Sequence, residues 1–174
     1  DLLVGNDGND SLVGGLGSDN LIGGNGDDFL VGDTSSSDTT GFGADNFEGD
    51  AGNDTADYSS RTDNLSITMD DDLPNDGGNG GAEGDNIHSD MENIFAGAGN
   101  DSIVGNAAAN FLAGGPGNDS LRGGGGLDKL IGGDGADTML GNADIDLLFM
   151  SDATKDACDV VLDSAGLPTI DFVN

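Results

Sequence analysis

Asp19 and Asp28, then Asp119, Asp128 and Asp137, stand at one fixed place in a nine-residue unit that reads GGLGSDNLI and GGNGDDFLV over 14–31, then GGPGNDSLR, GGGGLDKLI and GGDGADTML over 114–140. An isolated carboxylate can serve as a base, a hydrogen-bond acceptor or a ligand for a hard cation. The base reading lacks company here. His88 is the only histidine, and neither a zinc-binding helix motif nor a serine elbow accompanies it, so it reads as a loop residue. Each unit does carry glycines, which let the backbone adopt angles closed to other residues and bring the chain close to an ion. Carboxylate and carbonyl oxygens in a pliable loop are what calcium takes, whereas magnesium demands a stricter octahedron.

The elements that position these groups follow from the repeat. Units begin at Gly5, Gly14, Gly23, Gly32, Gly49, Ala96, Gly105, Gly114, Gly123, Gly132 and Gly141, and Asp1 to Val4 supply the end of an earlier unit, as expected of a piece from a longer array. Position eight holds Leu3, Leu12, Leu21, Leu30, Phe47, Ala56, Ile103, Leu112, Leu121, Leu130, Met139 and Leu148, an apolar column that a disordered linker would not keep. Positions seven to nine therefore read as a three-residue strand whose central side chain points inward. Two units make one coil with a turn on each side, and coils stack about 4.8 Å apart. Stacking sets the sixth-position aspartate of one turn against that of the turn eighteen residues on, with backbone carbonyls between them. Two such carboxylates repel unless a cation lies between them.

The composition poses the same problem for the whole chain. Its 174 residues carry 34 acids against 4 bases, a formal net charge of −30. Charge of one sign on that scale forces a compact core apart unless something neutralises it. Arg61, Arg122, Lys129 and Lys155 are too scattered to hold nucleic acid, and polyanionic polysaccharides are poor partners for the same reason. No stretch approaches the roughly 18 apolar residues of a membrane span, so membrane insertion is not expected. The opening residues do not read as a signal peptide. Cys158 has no disulfide partner and reads as a small buried apolar residue, so outside a cell something other than disulfides must hold the fold.

The five consecutive-type units GGLGSDNLI, GGNGDDFLV, GGPGNDSLR, GGGGLDKLI and GGDGADTML resemble the glycine-rich nonapeptide repeats of the RTX family, the hemolysin-type calcium-binding proteins. The resemblance implies an all-β fold, a right-handed parallel β-roll that is a calcium-binding β-solenoid. It also implies export through a type I secretion system and folding triggered by extracellular calcium. By match to the motif, the implied ligand carboxylates are Asp10, Asp19, Asp28, Asp45, Asp54, Asp101, Asp119, Asp128, Asp137 and Asp146. Loop carbonyls at the glycine positions, Gly5, Gly8, Gly14, Gly17, Gly23, Gly26, Gly114, Gly117, Gly123, Gly126, Gly132 and Gly135, are implied to complete the shells. Pairing acids in register sets 10 with 28, 19 with 45, 28 with 54, 101 with 119, 119 with 137, 128 with 146 and a defective 110 with 128. That makes about seven Ca2+ ions.

Departures from the pattern set the organisation. One domain is expected over 1–174, with a first repeat array over 1–57, an irregular connecting coil over 58–95, a second array over 96–149 and a C-terminal cap over 150–174. A polar insert from Thr34 to Gly41 interrupts the fourth unit and is expected to bulge out as a loop. Ala108 replaces a glycine and Asn110 an aspartate, so that turn is expected to bind calcium weakly or not at all. Asp144 puts the last turn in the same position. In the middle, Leu65 to Met69 alternates like a half-buried strand, Asp70 to Asp72 and 75–84 read as a mobile, solvated acidic loop, and Ser89 with Glu92 fits either a capping box or a plain turn. In the tail, 158–162 and 169–173 are strand-like, and Leu148, Phe149, Leu162, Ile170 and Phe172 are expected to cover the open end of the solenoid.

A coil with one apolar side chain per short strand is too thin for a catalytic cleft, so no enzymatic activity is expected. The leading reading is a non-catalytic calcium-binding module that serves calcium-dependent folding and secretion of an extracellular bacterial protein, secreted or at the cell surface. Two other readings stay open: a structural or ligand-presenting segment of a cell-surface adhesin, and the C-terminal noncatalytic domain of a secreted lipase or protease. An ice-binding surface, known for one type of RTX region, is disfavoured because positions three and five carry no regular threonine ladder. Pro74, Pro116 and Pro168 follow leucine or glycine, so the Asp-Pro bond of self-cleaving RTX modules is missing.

Overall fold

Alternation around position eight makes strands, and the glycine turns between them carry the chain back and forth across a stack. A computed structural model describes residues 1–33, 43–78 and 83–149, with the backbone of 160–162. The first array contributes β1 (Leu2–Asp7), β2 (Ser11–Val13), β3 (Asn20–Asn25), β4 (Phe29–Val31), β5 (Asn46–Ala51) and β6 (Thr55–Asp57). The middle holds β7 (Leu65–Thr68), β8 (Asn86–Ile87) and β9 (Asn93–Phe95). The second array adds β10 (Ser102–Val104), β11 (Phe111–Pro116), β12 (Ser120–Gly124), β13 (Lys129–Asp134), β14 (Thr138–Asn142) and β15 (Leu147–Phe149), followed by β16 (Val160–Leu162).

Every pairing between these strands is parallel, and successive coils sit in the register of the repeat: Leu3 opposite Leu21, Leu112 opposite Leu130, Leu121 opposite Met139. The insert does not disturb it, because Leu21 still lies opposite Phe47. The fold is a parallel β-roll. Its core is the position-eight column: Leu21, Leu30, Phe47, Ala56, Ile103, Leu112, Leu121, Leu130 and Met139 are buried, and Leu12 and Leu148 pack against them at the ends. Each buried leucine contributes about 1.5–3 kcal/mol, so the interior stabilises the roll by one small increment per strand. The strands differ from expectation in one respect. Three-residue strands such as β2 and β4 alternate with six-residue strands such as β1 and β3, because parallel pairing runs on past position nine into the turn, with Asn6 opposite Gly24 and Asp7 opposite Asn25.

Polar side chains tie the turns together on the outside. The Asn9 side-chain oxygen accepts the Asp27 N–H at 3.0 Å and the Asp27 carboxylate accepts the Asn53 N–H at 3.1 Å, a ladder that Asn64, Asn100 and Asn118 repeat in the second array.

The irregular middle joins the arrays unevenly. On one face β9 pairs with both β6 and β11, so a seven-stranded sheet runs unbroken from β2 to β15. On the other face a four-stranded sheet ends at β8 and a five-stranded sheet begins at β7. The Asp76 carboxylate spans that break, accepting the Thr68 N–H from β7 at 2.7 Å and the Ile87 N–H from β8 at 3.0 Å. Leu65 to Thr68 forms the expected strand, with Leu65, Ile67 and Met69 buried.

One reading of this region needs correction, and one left open is decided. The acids of 75–84 and just beyond are not solvated: Asp76 and Asp85 are each 1% exposed, and the Glu83 side chain 2%. They are recruited to hold the seam, where a fully buried Arg61 forks onto Asp63 and Glu83 through four hydrogen bonds of 3.0 Å. Ser89 and Glu92 form no capping box. A plain turn closes with the Met91 N–H on the His88 carbonyl, and the Glu92 carboxylate accepts the Asp54 N–H instead. The insert 34–41, residues 79–82, and the proposed capping contacts of Leu162, Ile170 and Phe172 lie outside the described residues, as does Cys158.

Candidate metal centres

An aspartate at position six closes each turn and opens the next strand, which keeps its side chain on the inner side of the bend. One carboxylate oxygen then accepts the backbone N–H of the position-six residue in the preceding coil. Asp28 Oδ1 accepts from Asp10 at 2.7 Å, Asp45 from Asp19 at 2.8 Å, Asp54 from Asp28 at 2.8 Å, Asp119 from Asp101 at 2.8 Å, Asp137 from Asp119 at 2.9 Å and Asp146 from Asp128 at 3.0 Å. The vertical pairs read from the sequence thus meet, each as a carboxylate set on an amide. Two acids outside the motif extend the columns: Asp85 accepts the Asp45 N–H at 2.9 Å and Glu92 the Asp54 N–H at 2.8 Å. Sequence reasoning passed over both, because the irregular coil stretches their spacing to 40 and 38 residues. Asp101 restarts the other column by accepting the Leu65 N–H at 2.8 Å.

The second oxygen is the telling one. Oδ2 of Asp10, Asp19, Asp28, Asp45, Asp54, Asp101, Asp119 and Asp128 is buried with no hydrogen-bond partner. All but Asp101, whose unit opens with Ala96, point at the first glycine of their own unit, and a Cβ at Gly14 would land 2.5 Å from Asp19 Oδ2. Gly5, Gly23, Gly114, Gly123 and Gly132 face Asp10, Asp28, Asp119, Asp128 and Asp137 in the same way, so the first position is bare to make room for an oxygen. Carbonyls come equally close between coils. Gly26, at φ +130, lies over the Gly8 carbonyl, and Gly117 and Gly135 continue that file in the second array; Gly17 and Gly126 turn with φ of +93 and +91.

Burying half-satisfied carboxylates is costly. Burial is the main cause that pushes Asp45 and Asp119 up to about 7 and Asp54 and Asp128 up to about 6, with backbone N–H bonds offsetting part of the rise and neighbouring acids adding to it. Asp101 moves the same way for the same reason. Among the described residues no three acidic, histidine or cysteine side chains converge on a point. A cation in these turns would therefore draw on one or two carboxylates and fill its shell with carbonyl oxygens. Calcium tolerates that set, taking about six to eight oxygens in flexible geometry.

The turn at Asn110 has a different chemistry. Asn110 accepts the Asn106 N–H at 2.9 Å and donates through Nδ2 to the Glu92 carbonyl at 3.0 Å and to Asn106 Oδ1 at 3.1 Å. A neutral amide satisfied by its own surroundings leaves no bare oxygen. His88 is a loop residue whose Nε2 lies 2.9 Å from Asn46 Oδ1.

A family model described as the RTX calcium-binding nonapeptide repeat matches the chain in 4 copies, over residues 1–35, 39–57, 88–121 and 114–148. A search of curated proteins returns no match. The copies cover both arrays and leave out 58–87, where Arg61, Asp76 and Glu83 take over from the repeat.

Proposed function

The chain belongs to the RTX calcium-binding nonapeptide repeat family, and from that premise we propose that this calcium-binding roll is a non-catalytic folding and secretion module of an extracellular bacterial protein. The rank of buried, unpartnered Oδ2 atoms carries the reading: an acid chain does not bury bare oxygens in register unless a cation is their partner. The proposed ligands are the position-six aspartates from Asp10 to Asp146, with carbonyls of the first- and fourth-position glycines. Bound calcium supplies positive charge between the coils, and about seven ions would offset about fourteen carboxylates. The rest is the work of the chain. Where calcium is scarce, repulsion across a net charge of −30 outweighs a core of one side chain per strand, and the polypeptide stays unfolded, as passage through a type I secretion channel requires. Outside the cell, where calcium is in the millimolar range at which extracellular modules bind, ion binding and folding become one event.

Native mass spectrometry across a calcium series tests the stoichiometry. About seven ions should load with little population of singly loaded chains, and magnesium should not substitute. A chain that takes up no calcium, or one ion only, contradicts the proposal.

A further inference from the structure

Position two of the repeat, where it is not glycine, mostly turns outward; Asn106 is a buried exception, its side chain bonded to the Ser89 and Met91 carbonyls. Asn6, Asp50 and Asn142 take it in the left-handed region, at φ of 77, 65 and 77, and Asp50 is exposed. Asp33 occupies the same position in the unit that opens at Gly32, but the chain leaves the repeat path there. Its φ is not left-handed, and the side chain folds inward to 5% exposure. Neither of its oxygens has a hydrogen-bond partner. Burial, with Glu83 and Asp19 adding repulsion, pushes its carboxyl up to about 6, while the Gly43 N–H and Arg61 hold it down. Asp45 feels the Asp33 charge directly, its own Oδ2 is bare, and that oxygen faces Gly32, the residue before Asp33. Three bare oxygens on two buried carboxylates therefore lie at one bend, within reach of each other's charge, whereas the turns of Asp10, Asp19, Asp28, Asp54, Asp101, Asp119 and Asp128 present one each and the Asn110 turn none.

We propose that Asp33 is a cation ligand outside the nonapeptide pattern, forming with Asp45 a two-carboxylate divalent-cation site at the base of the insert. The proposal rests on the calcium reading of the repeats and adds to it a residue that the motif does not assign. Affinity in oxygen-ligand sites rises with the number of charged ligands, so this bend is the tightest of the first array.

Isothermal calorimetry on the full chain compares wild type, Asp33→Asn and Asp50→Asn during calcium titration. Asp33→Asn should weaken one tight site at least about tenfold and leave the remainder, whereas Asp50→Asn should superimpose on wild type. If Asp33 is only a buried unfavourable charge, Asp33→Asn stabilises the calcium-free chain and leaves the isotherm unchanged, which overturns the proposal and spares the repeat reading. A wild-type chain that binds no calcium overturns both. Should Asp33→Asn fail to fold in calcium, anomalous scattering from terbium-loaded wild-type crystals decides. A peak about 2.5 Å from carboxylate oxygens of both Asp33 and Asp45 supports the site, and a peak on Asp45 alone removes it.

Discussion

Asp119 gives one oxygen to the Asp101 amide at 2.8 Å and keeps the other bare and buried, and that division of labour explains why the position is an acid. An amide would serve the hydrogen bond equally well. Asp119→Asn should thus preserve the stacking bond and lose the cation ligand, shifting the midpoint of calcium-induced folding to about tenfold higher calcium when followed by intrinsic spectroscopy. The same carboxylates set a pH dependence. Burial raises Asp45 and Asp119 to about 7, above the ordinary value of 3.8, so the calcium-free fold binds protons more tightly than the unfolded chain. Stability from these groups is fully present below about pH 4 and is lost as pH rises through 7. Two results should follow: the calcium-free chain holds more strand structure at pH 5 than at pH 8, and calcium uptake releases protons into a weak buffer at pH 5, where the protonated fold persists, but few at pH 9. Calcium uptake that releases as many protons at pH 9 as at pH 5 would show that other groups carry the coupling.

At the level of elements, the repeats were legible and the seam was not. A period of nine with one apolar residue per unit dictates strand, turn and register at once, so the vertical pairs from Asp10 with Asp28 to Asp128 with Asp146 could be read without coordinates. Between β6 and β10 the period lapses, and long-range partners such as Asp76 with Thr68 and Ile87, or Tyr58 with Asp85 at 2.8 Å, leave no local pattern. Polarity misled there: acids that read as solvated are buried against Arg61, a tyrosine hydroxyl and amides. Arg61→Met should leave Glu83 buried and unpaired and cost about 3–5 kcal/mol in urea unfolding at saturating calcium, with Glu83→Gln in the same chain recovering much of the loss. An equal loss in both variants would mean that the arginine acts through packing alone. The Asn110 turn, closed by its own amides, gives the opposite test. Asn110→Asp should destabilise the calcium-free chain and bind one additional calcium ion by mass spectrometry, and an unchanged ion count would show that Ala108 already excludes one.

For the whole molecule, the balance is between a narrow column of apolar side chains and a net charge of −30. Leu121, Leu130 and their neighbours are too few per coil to hold the stack against that repulsion. Monovalent salt screens exposed charge over about 8–10 Å but does little for buried oxygens, so it cannot replace an ion held between coils. The seam, bonded by protein groups, joins the two repeat arrays. Far-ultraviolet circular dichroism of the full chain during a calcium titration at neutral pH is the most direct measurement. A calcium-locked roll predicts a disordered spectrum in chelator, a cooperative rise of strand signal with calcium, and its reversal when chelator is restored. A strand spectrum already complete in chelator and indifferent to calcium would contradict it.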